Sequence, residues 1–150
     1  MNKIVDTGLK VDLHIHSAHS NHKDGIKVAN NTIENIGTLI KKLTENDVNI
    51  CAITDHDVFD YNLYDTLKKE EGTANSIQKV LPGIEFSVQF KTDEKTEVIH
   101  VVTLFNDADE EKIKRIEKIL KLSNNKPDYD SGQAFSEEKY LSLLRQIDID

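Results

Sequence analysis

Hydrophobic and polar residues follow three different patterns in the first half of the chain, and each pattern predicts one element. Residues 11–16 alternate with the period of a strand. Isoleucine and leucine recur at helical spacing over residues 32–46, which predicts an amphipathic helix. Residues 49–54 form a short apolar run, typical of a strand that is buried on both faces. The polar segment that precedes residue 31 is predicted to be a loop.

The second half of the chain is predicted to contain two more strands and three helices. These are a weaker helix over 62–71, strands over 84–90 and 98–105, and helices that begin near 107 and 136. Asp107 and Glu110 have the spacing of a capping box. Ser136 is a predicted N-cap, with Phe135 and Tyr140 as its hydrophobic staple. The order β-α-β-α-β-β-α-α predicts an α/β fold with parallel pairing at the start, while the last two strands fit either a hairpin or a short crossover.

Composition narrows the class of protein. The chain has 150 residues, enough for one domain, and no apolar run approaches the roughly 20 residues of a membrane span. Its net charge of −8 argues against a broad nucleic-acid-binding face. The N-terminus lacks the apolar core of a signal peptide. The single cysteine, Cys51, cannot form an internal disulfide, so a reducing cytoplasm is the expected compartment.

Histidines cluster in a way that indicates metal chemistry. His14 and His16 are two positions apart on the first strand, so both side chains project from the same face. Two surface histidines on a half-exposed strand are the ordinary alternative. Thr54-Asp-His-Asp57 follows the second strand, at the carboxyl end where sites assemble in α/β sheets. Turn formation explains the two aspartates of that motif but not the histidine between them.

The third and fourth strands each carry one further candidate. Glu85 lies between two apolar residues, and a carboxylate there is costly to bury unless it is paired or bound to metal. His100 interrupts the apolar run of the fourth strand, where a lone histidine is more often a satisfied core or surface residue. Four successive strands therefore offer a ligand. Mixed imidazole and carboxylate donors suit Zn, Mn or Fe better than Ca or Mg, and several ligands together indicate a multinuclear site.

These motifs resemble those of the polymerase-and-histidinol-phosphatase (PHP) superfamily. The matching segments are Asp12-Leu-His-Ile-His-Ser17, Thr54-Asp-His-Asp57, Pro82-Gly-Ile-Glu-Phe-Ser87 and the strand that begins at His100. They occur in the expected order, and the resemblance covers about residues 10–105. The Thr54-Asp-His-Asp57 and Pro82-Gly-Ile-Glu motifs favour this superfamily over the amidohydrolases, which also use H-x-H on a first barrel strand.

The resemblance implies a distorted seven-stranded (β/α)7 barrel that holds up to three divalent ions, Zn, Mn or Fe, at its strand ends. It implies hydrolysis of a phosphoester by metal-activated water, as a phosphatase or a nuclease, on a phosphorylated small molecule or a nucleic acid end. The catalytic residues that it implies are His14, His16, Asp55, His56 and Glu85, with Asp55 or Asp57 orienting His56. The alternative is a PHP scaffold domain that has lost catalysis within a larger multidomain protein.

The metal ligands that the resemblance implies are His14, His16, His22, Asp24, His56, Glu85 and His100. His22 and Asp24 are alternatives for one position in the loop after the first strand, where family members carry either residue type. His100 matches its motif less tightly than the others. His19, in the same loop, is interpreted as a surface residue.

The family's later motifs are absent, because no histidine follows His100. We therefore expect residues 1–150 to be the N-terminal portion of a truncated PHP domain, with its motifs within 10–105 and a helical tail over 107–150. A segment with about half of the ligand set is expected to be a weak enzyme by itself. The tail faintly resembles PHP domains that are fused to an ATPase module.

Overall fold

The computed structural model describes residues 8–21, 24–122, 127 and 134–148. Its strands are β1 (Lys10–Ile15), β2 (Val48–Ile53), β3 (Lys79–Val80), β4 (Gly83–Lys91), β5 (Thr96–Leu104) and β6 (Phe135–Ser136). Its helices are α1 (Asp24–Lys27), α2 (Ile36–Glu45), α3 (Tyr61–Lys68), α4 (Glu110–Leu120) and α5 (Glu137–Asp148), with a 3-10 helix at Ile33–Asn35. The protein is thus mixed α/β, as the order of the patterns predicted.

The first sheet is parallel, in the order β1-β2-β3. The predicted parallel pairing of the first strands is therefore confirmed. Thr54 fastens the carboxyl end of β2 to β1, because its amide donates to the Ile15 carbonyl over 2.8 Å and its hydroxyl donates to the Leu13 carbonyl over 3.2 Å. The residues after β1 and β2 consequently leave the sheet at the same edge.

The second sheet has the order β5-β4-β6. β4 and β5 are antiparallel and pair without interruption from Gly83 opposite Leu104 to Lys91 opposite Thr96, so their connection is a hairpin. β6 is parallel to β4. A crossover between the two long strands, the other connection that their patterns allow, does not occur.

The two sheets meet where β4 begins. His56 and Glu85 form an isolated parallel bridge, which continues the line of β2 alongside β4. Gly83 relieves crowding at this junction, since a Cβ atom on it would lie 2.8 Å from both the Leu104 Cδ2 and the Thr54 Cγ2 atoms and would force those side chains to shift. The absence of a side chain at Gly83 lets three strands approach one another two residues before Glu85.

The core lies between these sheets and the long helices. Phe86 is fully buried and packs edge-on against the rings of Phe135 and Tyr140. The two residues of the predicted staple therefore both contact Phe86 on β4. Ser136 is confirmed as the cap of α5, because its hydroxyl accepts the Lys139 amide over 3.2 Å.

Two local predictions were wrong. Asp109, rather than Asp107, is the N-cap of α4, where its carboxylate accepts the amides of Glu111 and Lys112. Asp107 instead pairs with Lys68 and Lys79, whose ammonium groups give it a stronger set of partners than one helix end. The polar segment before residue 31 contains the short helix α1, which lacks the apolar periodicity that would have indicated it.

Both outer strands carry exposed apolar side chains. On β5 they are Val98, Ile99, Val102 and Leu104, on β1 the exposed residue is Val11, and Leu9 immediately precedes β1. No closed barrel forms within the described residues. Among those residues, no helix has both the length and the apolar character of a membrane span.

Candidate metal centre

Glu85 is the centre of the candidate site. Its side chain is only 3% exposed. The backbone holds it in place from both directions, because the Glu85 amide donates to the Asp55 carbonyl over 3.1 Å and the Asp57 amide donates to the Glu85 carbonyl over 3.0 Å. A buried carboxylate needs strong partners, and here four imidazoles provide them.

Three histidines converge on one oxygen of this carboxylate. The Glu85 Oε2 atom lies 2.9 Å from the His14 Nε2, 3.3 Å from the His16 Nε2 and 3.2 Å from the His56 Nε2. The other oxygen, Oε1, lies 3.1 Å from the His100 Nδ1. Both carboxylate oxygens are therefore contacted by imidazoles, and the four imidazoles come from three separate segments of the chain.

The imidazole rings also contact one another in sequence. His16 and His56 are stacked, with ring centroids 5.0 Å apart. His14 packs edge-on against His16, and His100 packs edge-on against His56. The four rings thus form a continuous arc around Glu85.

Exposure changes across this arc. The His56 side chain is 2% exposed, whereas those of His14 and His100 are 55% and 51% exposed. The two accessible histidines lie on β1 and β5, each of which is an outer strand of its sheet. The site is therefore closed at its base and open to solvent at its rim.

Asp55 lies behind the arc rather than within it. Both of its oxygens accept hydrogen bonds from Ser17, one from the amide and one from the hydroxyl. Its Oδ1 atom is 4.0 Å from the His16 Nδ1. Burial raises the pKa of Asp55, although the Ser17 hydrogen bonds and the nearby His16 oppose the shift. Of the two aspartates expected to orient His56, Asp55 thus faces His16, because the Ser17 hydrogen bonds draw its carboxylate towards the loop after β1.

Further polar contacts position the histidine backbones. The Ser20 hydroxyl lies 3.3 Å from the His16 Nδ1 and accepts the His56 amide over 3.0 Å. The Asn31 side-chain amide donates to the His16 carbonyl over 2.6 Å. Asp57 adopts a left-handed conformation with φ of 56° and accepts the Ser87 amide over 2.9 Å. Aspartate is one of the few residue types that tolerates this conformation, which suits it to this turn.

The donor set fits a divalent metal. His14, His16 and Glu85 form one group, and His56, Glu85 and His100 form another, in which the donor atoms all lie within 4.8 Å of one another. Two donors that each lie about 2.0–2.1 Å from one ion are separated by about 2.9 Å in octahedral and about 3.4 Å in tetrahedral geometry. The observed separations between Glu85 and the imidazole nitrogens, 2.9–3.3 Å, fall in that interval. Glu85 belongs to both groups, so it could bridge two ions.

The structure brings together five of the predicted site residues, namely His14, His16, His56, Glu85 and His100. Asp55 lies next to them. His22 is outside the described residues, and of Asp24 only the backbone, at the start of α1, is described. The choice between these two stays open.

One partnership was missed by the analysis of the sequence. The His19 Nδ1 atom pairs with the Asp60 carboxylate, and the His19 amide donates to the Ser17 hydroxyl over 3.1 Å. His19 was interpreted as a surface residue, and its side chain is indeed 47% exposed. In the sequence, the only signal for the pair is the aspartate-rich segment Asp55–Asp60 after a strand, and it does not identify the partner of His19.

Comparisons with known proteins leave the family unassigned. No protein-family model matches the chain, and no curated protein is significantly similar to it. The argument for function therefore rests on the residues and their geometry.

Proposed function

We propose that the protein is a metal-dependent phosphoesterase of the PHP superfamily. The observation that carries this proposal is the convergence of four imidazoles on the buried carboxylate of Glu85. The four motifs that resemble the PHP superfamily are the segments that supply these five side chains. In a random surface cluster or a structural ion pair, the contacting residues would not need to come from these motifs.

The ligands proposed for one ion are His14, His16 and Glu85, and those proposed for a second are His56, Glu85 and His100. Zn, Mn or Fe bound there would supply Lewis-acid charge and activate water for attack on a phosphorus atom. Other residues of the chain hold the proposed ligands in position. Ser20 and Asn31 hold the His16 segment, and the stacked ring of His56 limits how far His16 can rotate.

The fold proposed for these strands is the N-terminal portion of a distorted (β/α)7 barrel. Three features support it. β1, β2 and β3 are parallel, and His14, His16 and His56 lie at or beyond the carboxyl ends of β1 and β2. The isolated bridge between His56 and Glu85 continues the strand order from β2 to β4. The exposed apolar residues of β1 and β5 leave surface that additional strands would cover.

The first experiment on function combines metal analysis with an activity assay of the full chain. Purified protein is loaded with Mn²⁺ or Zn²⁺, its metal content is measured, and hydrolysis of p-nitrophenyl phosphate and of a 5′-phosphorylated oligonucleotide is followed. We expect one or more ions per chain and a slow hydrolysis that chelation abolishes. His16→Ala should remove both properties without unfolding the protein.

The same experiment separates the alternative role. Stoichiometric metal binding without hydrolysis of either substrate would favour a scaffold domain that keeps its ligands. A folded protein that binds no metal, or that hydrolyses phosphoesters equally well in excess chelator, would contradict the proposal.

A further inference from the structure

His19 and Asp60 form an ion pair beside the candidate metal centre. Neither residue is among the proposed metal ligands. The Asp60 carboxylate binds the His19 Nδ1 atom, and the Asp60 side chain is only 18% exposed. Asp60 is also the N-cap of α3, where its Oδ1 atom accepts the Leu63 amide over 3.0 Å. A carboxylate that is anchored to a helix in this way holds the imidazole at a defined place.

The backbone of His19 is fixed to the same network that supports His16. Its amide donates to the Ser17 hydroxyl, which in turn donates to Asp55. The Asp55 carboxylate in turn lies 4.0 Å from the His16 Nδ1 atom. His19, three residues after His16, therefore shares a hydrogen-bond network with a residue that contacts the metal centre.

The ordinary interpretation is a surface ion pair, which contributes about 0–1 kcal/mol. Two features favour a ligand contact. Asp60 occupies the Nδ1 atom, so Nε2 is the nitrogen that remains for another partner, and about half of the side chain is exposed. A carboxylate that orients one ring nitrogen so that the other meets a ligand is a common use of histidine in sites.

We propose that His19, oriented by Asp60, binds the phosphate group of the substrate beside the metal centre. When the ring carries protons on both nitrogens, Nδ1 donates to Asp60 and Nε2 donates to a phosphate oxygen. His19 is then a substrate-binding residue and not a metal ligand. This inference rests on the proposed phosphoesterase function.

The test measures binding of inorganic phosphate to the Mn²⁺-loaded full chain by calorimetry, beside metal content. In His19→Asn the amide nitrogen reproduces Nδ1 but nothing replaces Nε2. In His19→Gln the amide nitrogen lies near the position of Nε2. We expect phosphate affinity to fall roughly tenfold or more in His19→Asn, with a smaller loss in His19→Gln and unchanged metal content in both.

Asp60→Asn provides a second variant, because asparagine keeps the oxygen that caps α3 but removes the carboxylate. It should weaken phosphate binding in the same direction. Asp65→Asn is the matched control, since it breaks an exposed pair with Lys69 on the same helix and should leave phosphate affinity unchanged. If one variant fails to fold, as judged by its thermal unfolding midpoint, the others decide.

Three results would overturn the inference: no phosphate binding by the loaded wild-type protein, equal affinity in wild type and His19→Asn, or loss of metal from His19→Asn. Failure of the proposed function gives a different result. A protein that binds metal and phosphate but hydrolyses no phosphoester would contradict the enzymatic proposal, while the effect of His19→Asn on phosphate affinity would still support this contact.

Discussion

At the scale of single residues, Glu85 should decide whether metal binds, because its carboxylate belongs to both ligand groups. Glu85→Gln keeps the shape of the side chain but removes the charge. We expect metal affinity to fall at least about 100-fold, since even removal of an outer partner of a metal ligand costs about 10–100-fold. Equilibrium dialysis against Zn²⁺ or Mn²⁺ measures the change.

The matched control for that experiment is Glu97→Gln on β5. Glu97 is exposed and pairs with Lys95 at the end of the hairpin, away from the imidazoles. Metal affinity should be unchanged in this variant. Retention of metal by Glu85→Gln would show that the four imidazoles do not form the site.

The sequence predicted the convergence of the strand residues better than the contacts of the loops. The alternation of a strand determines that His14 and His16 share a face, and this needs no knowledge of the fold. The partner of His19 depends on how the segment after β1 folds back towards α3. The same holds for Asp55, whose hydrogen bonds to Ser17 join positions that are 38 residues apart.

At the scale of elements, the start of α4 depends on Asp109. Its carboxylate accepts two amides of the first turn, which otherwise lack partners within the helix. Asp109→Ala should lower the free energy of unfolding by about 1 kcal/mol, and Asp109→Asn by much less because asparagine is also a good N-cap. Urea unfolding at neutral pH measures both. An equal loss in the two variants would show that the charge, and not the cap, is responsible.

Asp107 joins three elements through its ion pairs. Lys68 of α3 lies 2.6 Å and Lys79 of β3 lies 2.5 Å from its Oδ2 atom, just before α4 begins. Burial alone would raise the pKa of Asp107, but the hydrogen bonds from these two lysines outweigh burial, so the pKa is lowered. The carboxylate therefore stabilises the fold fully above its unfolded pKa of about 3.9, and less as the pH falls through the lower folded value.

Asp107→Asn should accordingly reduce the free energy of unfolding by about 1–2 kcal/mol at pH 7. The difference from wild type should shrink as the pH falls below about 4. Asp65→Asn, which breaks an exposed pair, should cost less than about 0.5 kcal/mol throughout. Chemical unfolding over a pH series checks the slope, and a constant difference at all pH values would contradict this account.

Strands and long helices could be predicted from the sequence because their periods are local. The hairpin could not, since the polar segment between β4 and β5 is compatible with two connections. The cap of α4 was misplaced by two residues because Glu110 has capping-box spacing from Asp107 and not from Asp109. Asp107 is instead drawn to Lys68 and Lys79, whose positions come from the tertiary fold.

At the scale of the whole molecule, β5 is the surface where we expect self-association. Val98, Val102 and Leu104 project from the same face as His100, and their exposures are 46%, 39% and 37%. An edge strand with exposed apolar side chains is a template for pairing with another chain. Val98→Lys should therefore reduce association at high protein concentration.

Sedimentation velocity over a concentration series measures this effect. Leu141→Lys on α5 removes a similarly exposed apolar residue away from the edge, so it should leave the association unchanged. Equal behaviour of the two variants would show that general hydrophobicity, rather than the β5 edge, drives association.

The residues of the candidate site are synthesised at different times, because they lie far apart in the chain. Glu85 contacts His14, which was synthesised 71 residues earlier. At about 5–20 residues per second, a ribosome takes roughly 4–14 s to cover that distance. During this interval the H-x-H pair exists without the carboxylate that it will surround. A metal ion captured by the nascent chain would meet only part of the proposed ligand set, so we expect stable binding only after Glu85 has folded against the histidines.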